Sequence, residues 1–141
     1  MFSKRGCGIL LHLTSLPGNA FRFADFLAAA GQSYWQILPL NPTDAGSQHS
    51  PYSVLSAFAA DPMFVDSYQL VDRERFEAFR EQNAYWLEDY ATFAVLKNHF
   101  QRRPWYVWPA ELRDRKPDAM SAVQQQLGSA IQRERELQFL F

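Results

Sequence analysis

The segment Tyr34 to Leu40 constrains the fold most, because its residues are largely apolar on both faces. This pattern is typical of a strand in a parallel sheet covered by helices, although a buried helix segment of this length looks similar. The following residues, 41–50, are mostly turn formers. A polar loop at the carboxyl end of a parallel strand is where α/β proteins place ligand contacts. The loop leads to Ser50-Pro51-Tyr52, so we expect an aromatic side chain at the ligand end of this strand.

The preceding residues complete a strand–helix–strand unit. The apolar segment from Gly8 to Thr14 predicts a first strand, and a turn ends it. A helix is expected from Ala20, with Asn19 as its N-cap and Gly31 just beyond its end. Short joints between these elements favour two parallel strands with a right-handed crossover.

The second half of the chain has the pattern of helices. Asp72 is a suitable N-cap, and apolar residues then recur every three or four positions to about His99, with a possible break near Asn83. Pro117 suits the first turn of a last helix. Between these helices, Trp105 and Trp108 are interpreted as packing anchors for an irregular segment; a platform for sugar rings is the alternative.

Composition excludes several classes of protein. The net charge of −1 provides no long-range attraction for nucleic acid or an anionic membrane, and no apolar run approaches the roughly 20 residues of a membrane span. Cys7 is the only cysteine, which rules out an internal disulfide framework, favours the cytoplasm and predicts a small buried thiol. With 141 residues, the chain is too short for a complete eight-stranded βα barrel of about 250 residues.

The residues alone do not predict a catalytic centre. The sequence has no glycine-rich phosphate loop and no serine nucleophile elbow, and its three histidines have no metal-ligand spacing. A retaining glycosidase needs two carboxyl groups about 5–5.5 Å apart. The carboxylates of the α/β part form no convincing pair of this kind; they are Asp25, Asp44, Asp61 and Asp66.

The chain resembles the amino-terminal part of the 4-α-glucanotransferases of glycoside hydrolase family 77, also called amylomaltases or disproportionating enzymes. The resemblance runs in order along essentially the whole chain. It rests on GILLHLTSLPG (8–18), FLAAAGQSYWQILPLNPT (26–43), SPYSVLSAFA (50–59), WLxDYAxFxxLK (86–97), PWxxWP (104–109), LRxR (112–115) and QFLF (138–141).

The resemblance implies the first two strands of a (β/α)₈ TIM barrel, followed by a mainly helical segment. It implies transfer of an α-1,4-glucan segment to the 4-hydroxyl of glucose or a maltodextrin, without a cofactor. The mechanism is expected to be retaining, with an aspartate nucleophile and a glutamate acid/base. These carboxylates, and a further aspartate that holds the sugar, would lie beyond this chain, so the remainder of the barrel would be required.

For the substrate site, the resemblance assigns Tyr52 to a position that packs against the sugar, and Ser50 to a weaker polar contact. The alternative for Tyr52 is a loop anchor buried under Ala57 and Phe58. The sequence departs from the family before the first helix, where a glycine-rich segment is missing, and between Asp66 and Asp72, where a longer segment is missing. The loop before Ser50 also lacks a family aromatic.

We therefore expect residues 1–66 to form the first βα units with the substrate loop, and residues 67–141 to form a helical subdomain. The chain looks incomplete relative to the family. The main hypothesis is a cytoplasmic 4-α-glucanotransferase whose partners are maltodextrins and glucose, with neither nucleic acid nor membrane. The alternative is an inactive fragment that acts at most as an α-glucan-binding or interaction module.

Overall fold

A computed structural model describes residues 6–65 and 71–141 of the chain. It separates into two compact units, Met1–Val54 and Leu55–Phe141, called here the α/β unit and the helical unit. The domain boundary expected at residues 66 and 67 lies outside the described residues.

The α/β unit contains the expected strand–helix–strand order. Strand β1 (Gly8–Leu10), helix α1 (Ala20–Ala29) and strand β2 (Tyr34–Gln36) follow one another, with 3₁₀ turns at Leu13–Ser15 and Ala45–Ser47. The two strands pair in parallel, with Gly8 opposite Tyr34 and Leu10 opposite Gln36. The prediction of two parallel strands joined by a helix is confirmed.

Both strands are shorter and more exposed than predicted. The chain leaves the first strand after Leu10 and forms a 3₁₀ turn within the segment predicted to be extended. Tyr34 and Ile37 are exposed although the pattern predicted burial. Among the described residues the sheet has these two strands alone, so no third strand covers the apolar side chains or extends the hydrogen bonding. Cys7 is also exposed, which corrects its prediction as a buried thiol.

Helix α1 has the predicted glycine cap at its end but lacks the predicted side-chain cap at its start. Gly31 has a left-handed φ of 71°. The amide of Gln32 donates to the Leu27 carbonyl at 2.9 Å, which closes the helix with a glycine cap. Asn19 precedes the helix as predicted, but its side chain donates to the Pro17 carbonyl at 2.9 Å instead of capping α1.

The helix α1 is held against β2 by aromatic contact. The rings of Phe23 and Trp35 meet edge to face at 5.1 Å between centroids. The Trp35 indole donates to the Leu11 carbonyl at 2.8 Å, just beyond the end of β1. Trp35 therefore contacts both α1 and the end of β1. These contacts fix the position of β2, which the loop of residues 41–54 follows.

The helical unit contains α2 (Arg73–Gln82), α3 (Ala84–His99), α4 (Ala110–Arg113) and α5 (Pro117–Leu140), with 3₁₀ turns at Pro62–Phe64 and Trp105–Val107. The N-cap at Asp72 is confirmed, because its carboxylate accepts from the Arg75 amide at 3.2 Å. The break at Asn83 is also confirmed. The Asn83 side chain donates to the Phe79 carbonyl at 2.8 Å and accepts from the Trp86 indole at 2.9 Å, so it competes with continuous helix hydrogen bonding.

The core of the helical unit lies mainly between α3 and α5. Trp108 joins it from the segment between α3 and α4, and its indole donates to the Arg103 carbonyl at 3.2 Å. Phe139, near the end of α5, packs edge to face on Phe76 and Phe79. The buried members of the core cluster are Ala91, Leu96, Trp108, Val123 and Ile131. Within residues 6–65 and 71–141, no helix is both long and apolar enough to cross a membrane.

Candidate functional site

The candidate site is the loop that follows β2, residues 41–54, called here the substrate loop. Its two ends are joined by an antiparallel bridge between Thr43 and Val54. The residues between Thr43 and Val54 therefore form a closed excursion, which follows β2 in the chain. Ser50 and Tyr52 both lie on this excursion.

Asp44 organises the first half of the substrate loop. Its backbone carbonyl accepts hydrogen bonds from the Ser47 and His49 amides, both at 3.0 Å. Its carboxylate accepts from the Gly46 amide at 3.3 Å. The Thr43 hydroxyl lies 3.1 Å from His49 Nδ1, within hydrogen-bonding distance. Asp44 thus has the local turn-forming role that is common for aspartate in loops.

The chain reverses at Gln48 and His49, whose φ angles are 54° and 55°. Residues other than glycine seldom adopt this left-handed region, and surrounding contacts must hold them there. Here the Gln48 amide donates to the Ala45 carbonyl at 3.0 Å, and the Ser50 amide donates to the Ser47 carbonyl at 3.0 Å. These two hydrogen bonds hold the left-handed residues Gln48 and His49 in place.

The structure places Tyr52 on the surface, with 78% of its area exposed. A ring this exposed is available to a ligand, and it does not have the burial expected of a loop anchor. The Tyr52 amide donates to the Ser50 hydroxyl at 3.4 Å, so the two predicted contact residues lie together on one turn. Ser50 is partly buried and uses its hydroxyl in this turn. Their role in binding sugar stays a prediction.

Trp105 and Trp108 have different environments. Trp108 is 7% exposed and packs against Phe93 and Phe100, with ring centroids 5.8 and 5.3 Å away. It is therefore a packing anchor, as predicted. Trp105 is 53% exposed and lines an open cavity of about 330 Å³. The sequence did not identify this cavity, because its walls come from four separate segments.

A partly buried carboxyl group, that of Glu134, lies on α5 in the helical unit. Burial, together with the charge of Asp61, raises the pKa of Glu134, although a hydrogen bond from Gln138 opposes the shift. Gln138 also holds the Ala60 backbone, accepting from its amide at 2.9 Å and donating to its carbonyl at 3.0 Å. Burial likewise raises the pKa of Tyr90. The Gln138 contacts hold the segment around Ala60 on α5.

Among the residues that the structure describes, no group of three or more His, Cys, Asp or Glu side chains is arranged to hold a metal ion.

Comparison with known proteins connects the fold to one family. The glycoside hydrolase family 77 model, described as 4-alpha-glucanotransferase, matches residues 11–74 and 68–141. Curated proteins named 4-alpha-glucanotransferase from Thermus thermophilus and Aquifex aeolicus are 34% and 31% identical to the chain, each over 97% of its length. An amylomaltase from Streptococcus agalactiae, solved in complex with acarbose, superposes on 98% of the chain with a TM-score of 0.82 and 26% identity.

The match is partial with respect to these relatives. The chain spans 38% of the length of both curated proteins and 39% of the solved amylomaltase. The alignment with the Thermus protein runs over 190 positions although the chain has 141 residues, so at least 49 positions are gaps in this chain. The two ranges matched by the family model meet at residues 68–74, close to one of the missing segments expected from the sequence.

The family match covers both the substrate loop and all helices of the helical unit, and the fold of two parallel strands with mostly helices is consistent with part of a barrel. The chain belongs to the glycoside hydrolase family 77 of 4-alpha-glucanotransferases.

Proposed function

We propose that this chain is the substrate-loop portion of a 4-α-glucanotransferase, which moves an α-1,4-glucan segment to the 4-hydroxyl of glucose or a maltodextrin. The family match over residues 11–74 and 68–141 carries this proposal. In it, β1 and β2 are the first two strands of a TIM barrel, and the substrate loop lies at the carboxyl ends of these strands. That edge is where barrel enzymes bind their substrates.

Tyr52 is proposed as the sugar-contacting residue of this loop. Its exposed ring offers a flat apolar surface that suits the C–H face of a glucose unit. The hydrogen bonds of Asp44 and the Ser50 turn restrict the loop before any ligand arrives, which lowers the entropy lost on binding. Ser50 is a second, weaker contact because its hydroxyl already accepts from the Tyr52 amide.

The proposed chemistry is retaining. An aspartate attacks the anomeric carbon, a glutamate protonates the leaving sugar oxygen, and a sugar hydroxyl then resolves the glycosyl-enzyme intermediate. Both carboxyl groups are assigned to a polypeptide beyond residues 1–141, in keeping with the 38% coverage of the relatives. Asp44 within the substrate loop and Asp61 in the helical unit each cap a local 3₁₀ turn, so the proposal gives neither a catalytic role.

The cytoplasmic location stays a proposal as well, supported only by the single exposed cysteine and the absence of paired cysteines in the sequence.

The proposal is tested by replacing Tyr52 in a chain extended to the length of the relatives. We expect Tyr52→Ala to reduce glucose release from maltotriose at least about tenfold, equivalent to about 1.4 kcal/mol, with little change in Tm. Tyr85→Ala is the matched control, because Tyr85 is a similarly exposed tyrosine (72%) on α3. Normal transfer by Tyr52→Ala, accompanied by a large loss of Tm, would instead make Tyr52 a structural residue.

The alternative proposal is that the 141-residue chain binds α-glucan without transforming it. Its support is that the substrate loop is complete within the chain and is closed by its own hydrogen bonds. The purified chain should then bind maltotriose and leave it intact over hours. Glucose and longer maltodextrins formed by this chain alone would contradict this alternative and the assignment of the carboxyl groups.

A further inference from the structure

The open cavity beside Trp105 is a second candidate binding site, separate from the substrate loop in sequence. It lies wholly within the helical unit and has a volume of about 330 Å³, which is at the lower end of ligand-binding pockets. This size suits a single six-membered ring with its substituents better than an extended peptide. Its walls come from α3, α4, the start of α5 and the 3₁₀ turn at Trp105–Val107.

The floor of the cavity is apolar and is part of the packed core. It is formed by Leu96 and Trp108, which belong to the buried core, and by Phe93 and Leu112, which pack against that core. Because these side chains are fixed by the packing of α3 on α5, the floor exists before any ligand is bound. A site built on packed helices holds its geometry more precisely than one built on a free loop.

One wall is the half-exposed indole of Trp105. A large apolar ring that stands at the edge of a concave site offers a surface on which the C–H face of a sugar ring can lie. The neighbouring Tyr106 is 61% exposed, more than Trp105 at 53%, but does not line the cavity, so exposure alone does not distinguish Trp105. Trp105 differs in that it lines the cavity and is half exposed at the same time.

The rim carries paired charges. Arg115 donates to Asp89 at 2.5 Å, and Arg113 donates to Asp114 at 2.8 Å. Each guanidinium that lines the cavity therefore has a carboxylate beside it, and the rim has no surplus positive charge with which to select a phosphate. A guanidinium next to a carboxylate instead presents hydrogen-bond donors and acceptors side by side. Neighbouring hydroxyl groups of a neutral sugar need both.

The backbone at Arg115 supports a role for its side chain. Arg115 ends α4 with a left-handed φ of 55°, and the next amide, of Lys116, donates to the Glu111 carbonyl at 2.8 Å. This is the helix-ending position that glycine usually occupies. An arginine at this position adds backbone strain, and its guanidinium reaches Asp89 on α3, at the rim of the cavity.

We infer that this cavity binds one glucose unit of an α-glucan chain, with the sugar face on Trp105 and its hydroxyl groups on the Asp89–Arg115 pair. The neutral polyhydroxy character of the ligand follows from the floor, the wall and the rim. Its identity as an α-glucan rests on the proposed function. A second glucan contact on the helical unit would hold a long donor or acceptor chain at a point distinct from the substrate loop.

The test is a residue-specific NMR titration of the full 141-residue chain with maltotriose. We expect amide shifts at Phe93 and Leu112, and an affinity at least about tenfold lower in Trp105→Ala. Tyr106→Ala is the matched control and should stay within about twofold of the unmodified chain. No shift at Phe93 and Leu112, or the same affinity in Trp105→Ala, overturns the inference.

A second variant separates binding from folding. Arg115→Gly removes the guanidinium and also relieves the left-handed backbone, so its Tm should stay the same or rise while maltotriose binding weakens. Unchanged binding in this folded variant contradicts the role of the rim. Tyr52→Ala should abolish the maltotriose-induced amide shifts within the substrate loop and leave the shift of Phe93 unchanged. The two sites are therefore tested separately, and the proposed function can fail without this inference failing.

Discussion

The α/β unit and the helical unit differ in how they bury apolar side chains. Among the described residues of the α/β unit, Leu27 is the one large hydrophobic side chain that is buried, whereas Ile9, Leu10, Phe26 and Tyr34 are exposed. The largest side chains that the helical unit buries completely are Leu87 and Ile131. Amphipathic helices next to one another in the chain can cover each other. A parallel strand that is apolar on both faces needs layers on both sides.

The same contrast applies to the two candidate sites. The substrate loop is stabilised mainly by its own hydrogen bonds, such as those to the Asp44 carbonyl. The cavity beside Trp105 is formed directly on the core of the helical unit. We therefore expect the helical unit to be the more stable of the two, and its site to be the more rigid. Two substitutions test this contrast between the units, and two further substitutions with smaller expected effects test the helical unit alone.

The largest difference is expected between two isoleucines. Ile131 is 0% exposed in the helical unit, whereas Ile37 in the α/β unit is 42% exposed. Ile131→Ala should lower the free energy of unfolding by about 2–5 kcal/mol, because it leaves a cavity in the core. Ile37→Ala should cost less than about 1 kcal/mol. Both values can be measured by denaturant unfolding, and equal costs would contradict the contrast between the units.

The next effect concerns the contact between β1 and β2. A Cβ atom on Gly8 would lie 2.6 Å from the Tyr34 carbonyl oxygen, so a side chain there must push the strands apart. Gly8→Ala should destabilise the α/β unit by about 1–3 kcal/mol. Hydrogen exchange of the β2 amides would measure this change. Gly46→Ala is the control because a Cβ there meets no atom within 4 Å. Unchanged protection in Gly8→Ala would show that the predicted strand contact is wrong.

A stabilising substitution is expected in α5. Gly128 lies inside this helix, and a Cβ there would meet no atom within 4 Å. Gly128→Ala should raise the free energy of unfolding of the helical unit by up to about 1 kcal/mol, because alanine has the higher helix propensity. Thermal unfolding followed by circular dichroism would measure it. A lower Tm for Gly128→Ala would contradict the open space around Gly128 in the structure.

The smallest effect is a dependence on pH. Since the folded protein raises the pKa of Glu134 above its ordinary value of 4.5, the folded state binds this proton more tightly than the unfolded state does. The helical unit should therefore lose some stability as the pH rises from 4.5 through the raised pKa. Glu134→Gln should remove this loss and be the more stable form at neutral pH.

The exposed Glu81 on α2 provides the control, and Glu81→Gln should retain the same pH profile as the unmodified chain. If Glu134→Gln and the unmodified chain lose stability equally over this range, Glu134 is not the group responsible.

Sequence patterns predicted the helical unit well because its signals are local. The Asp72 cap, the break at Asn83 and the start of α5 at Pro117 each depend on residues within one helical turn. The pattern predicted strand positions but not strand lengths or burial, since these depend on neighbours that the pattern does not specify. The exposure of Tyr34 shows this.

The two candidate sites also differ in whether neighbouring residues in the sequence determine them. Tyr52 could be singled out from a short motif on one loop, because its neighbours in sequence determine its position. The cavity could not, because Asp89 and Arg115 are 26 positions apart and meet only after α3 and α4 have packed. The spacing of Asp89, Phe93 and Leu96 on one face of α3 was visible in the sequence, but it also fits an ordinary packed helix.

The proposed function requires this chain to supply a glucan-binding surface and assigns the catalytic carboxyl groups to a polypeptide beyond residues 1–141. The most direct test is a single NMR sample of the purified 141-residue chain with maltotriose, in which the amides of residues 50–54 and the anomeric sugar signals are recorded together. We predict shifts of the amide signals of Ser50, Tyr52, Ser53 and Val54, while no new sugar species forms from maltotriose. Unchanged amide shifts, or the appearance of glucose and longer maltodextrins, would contradict the proposed function.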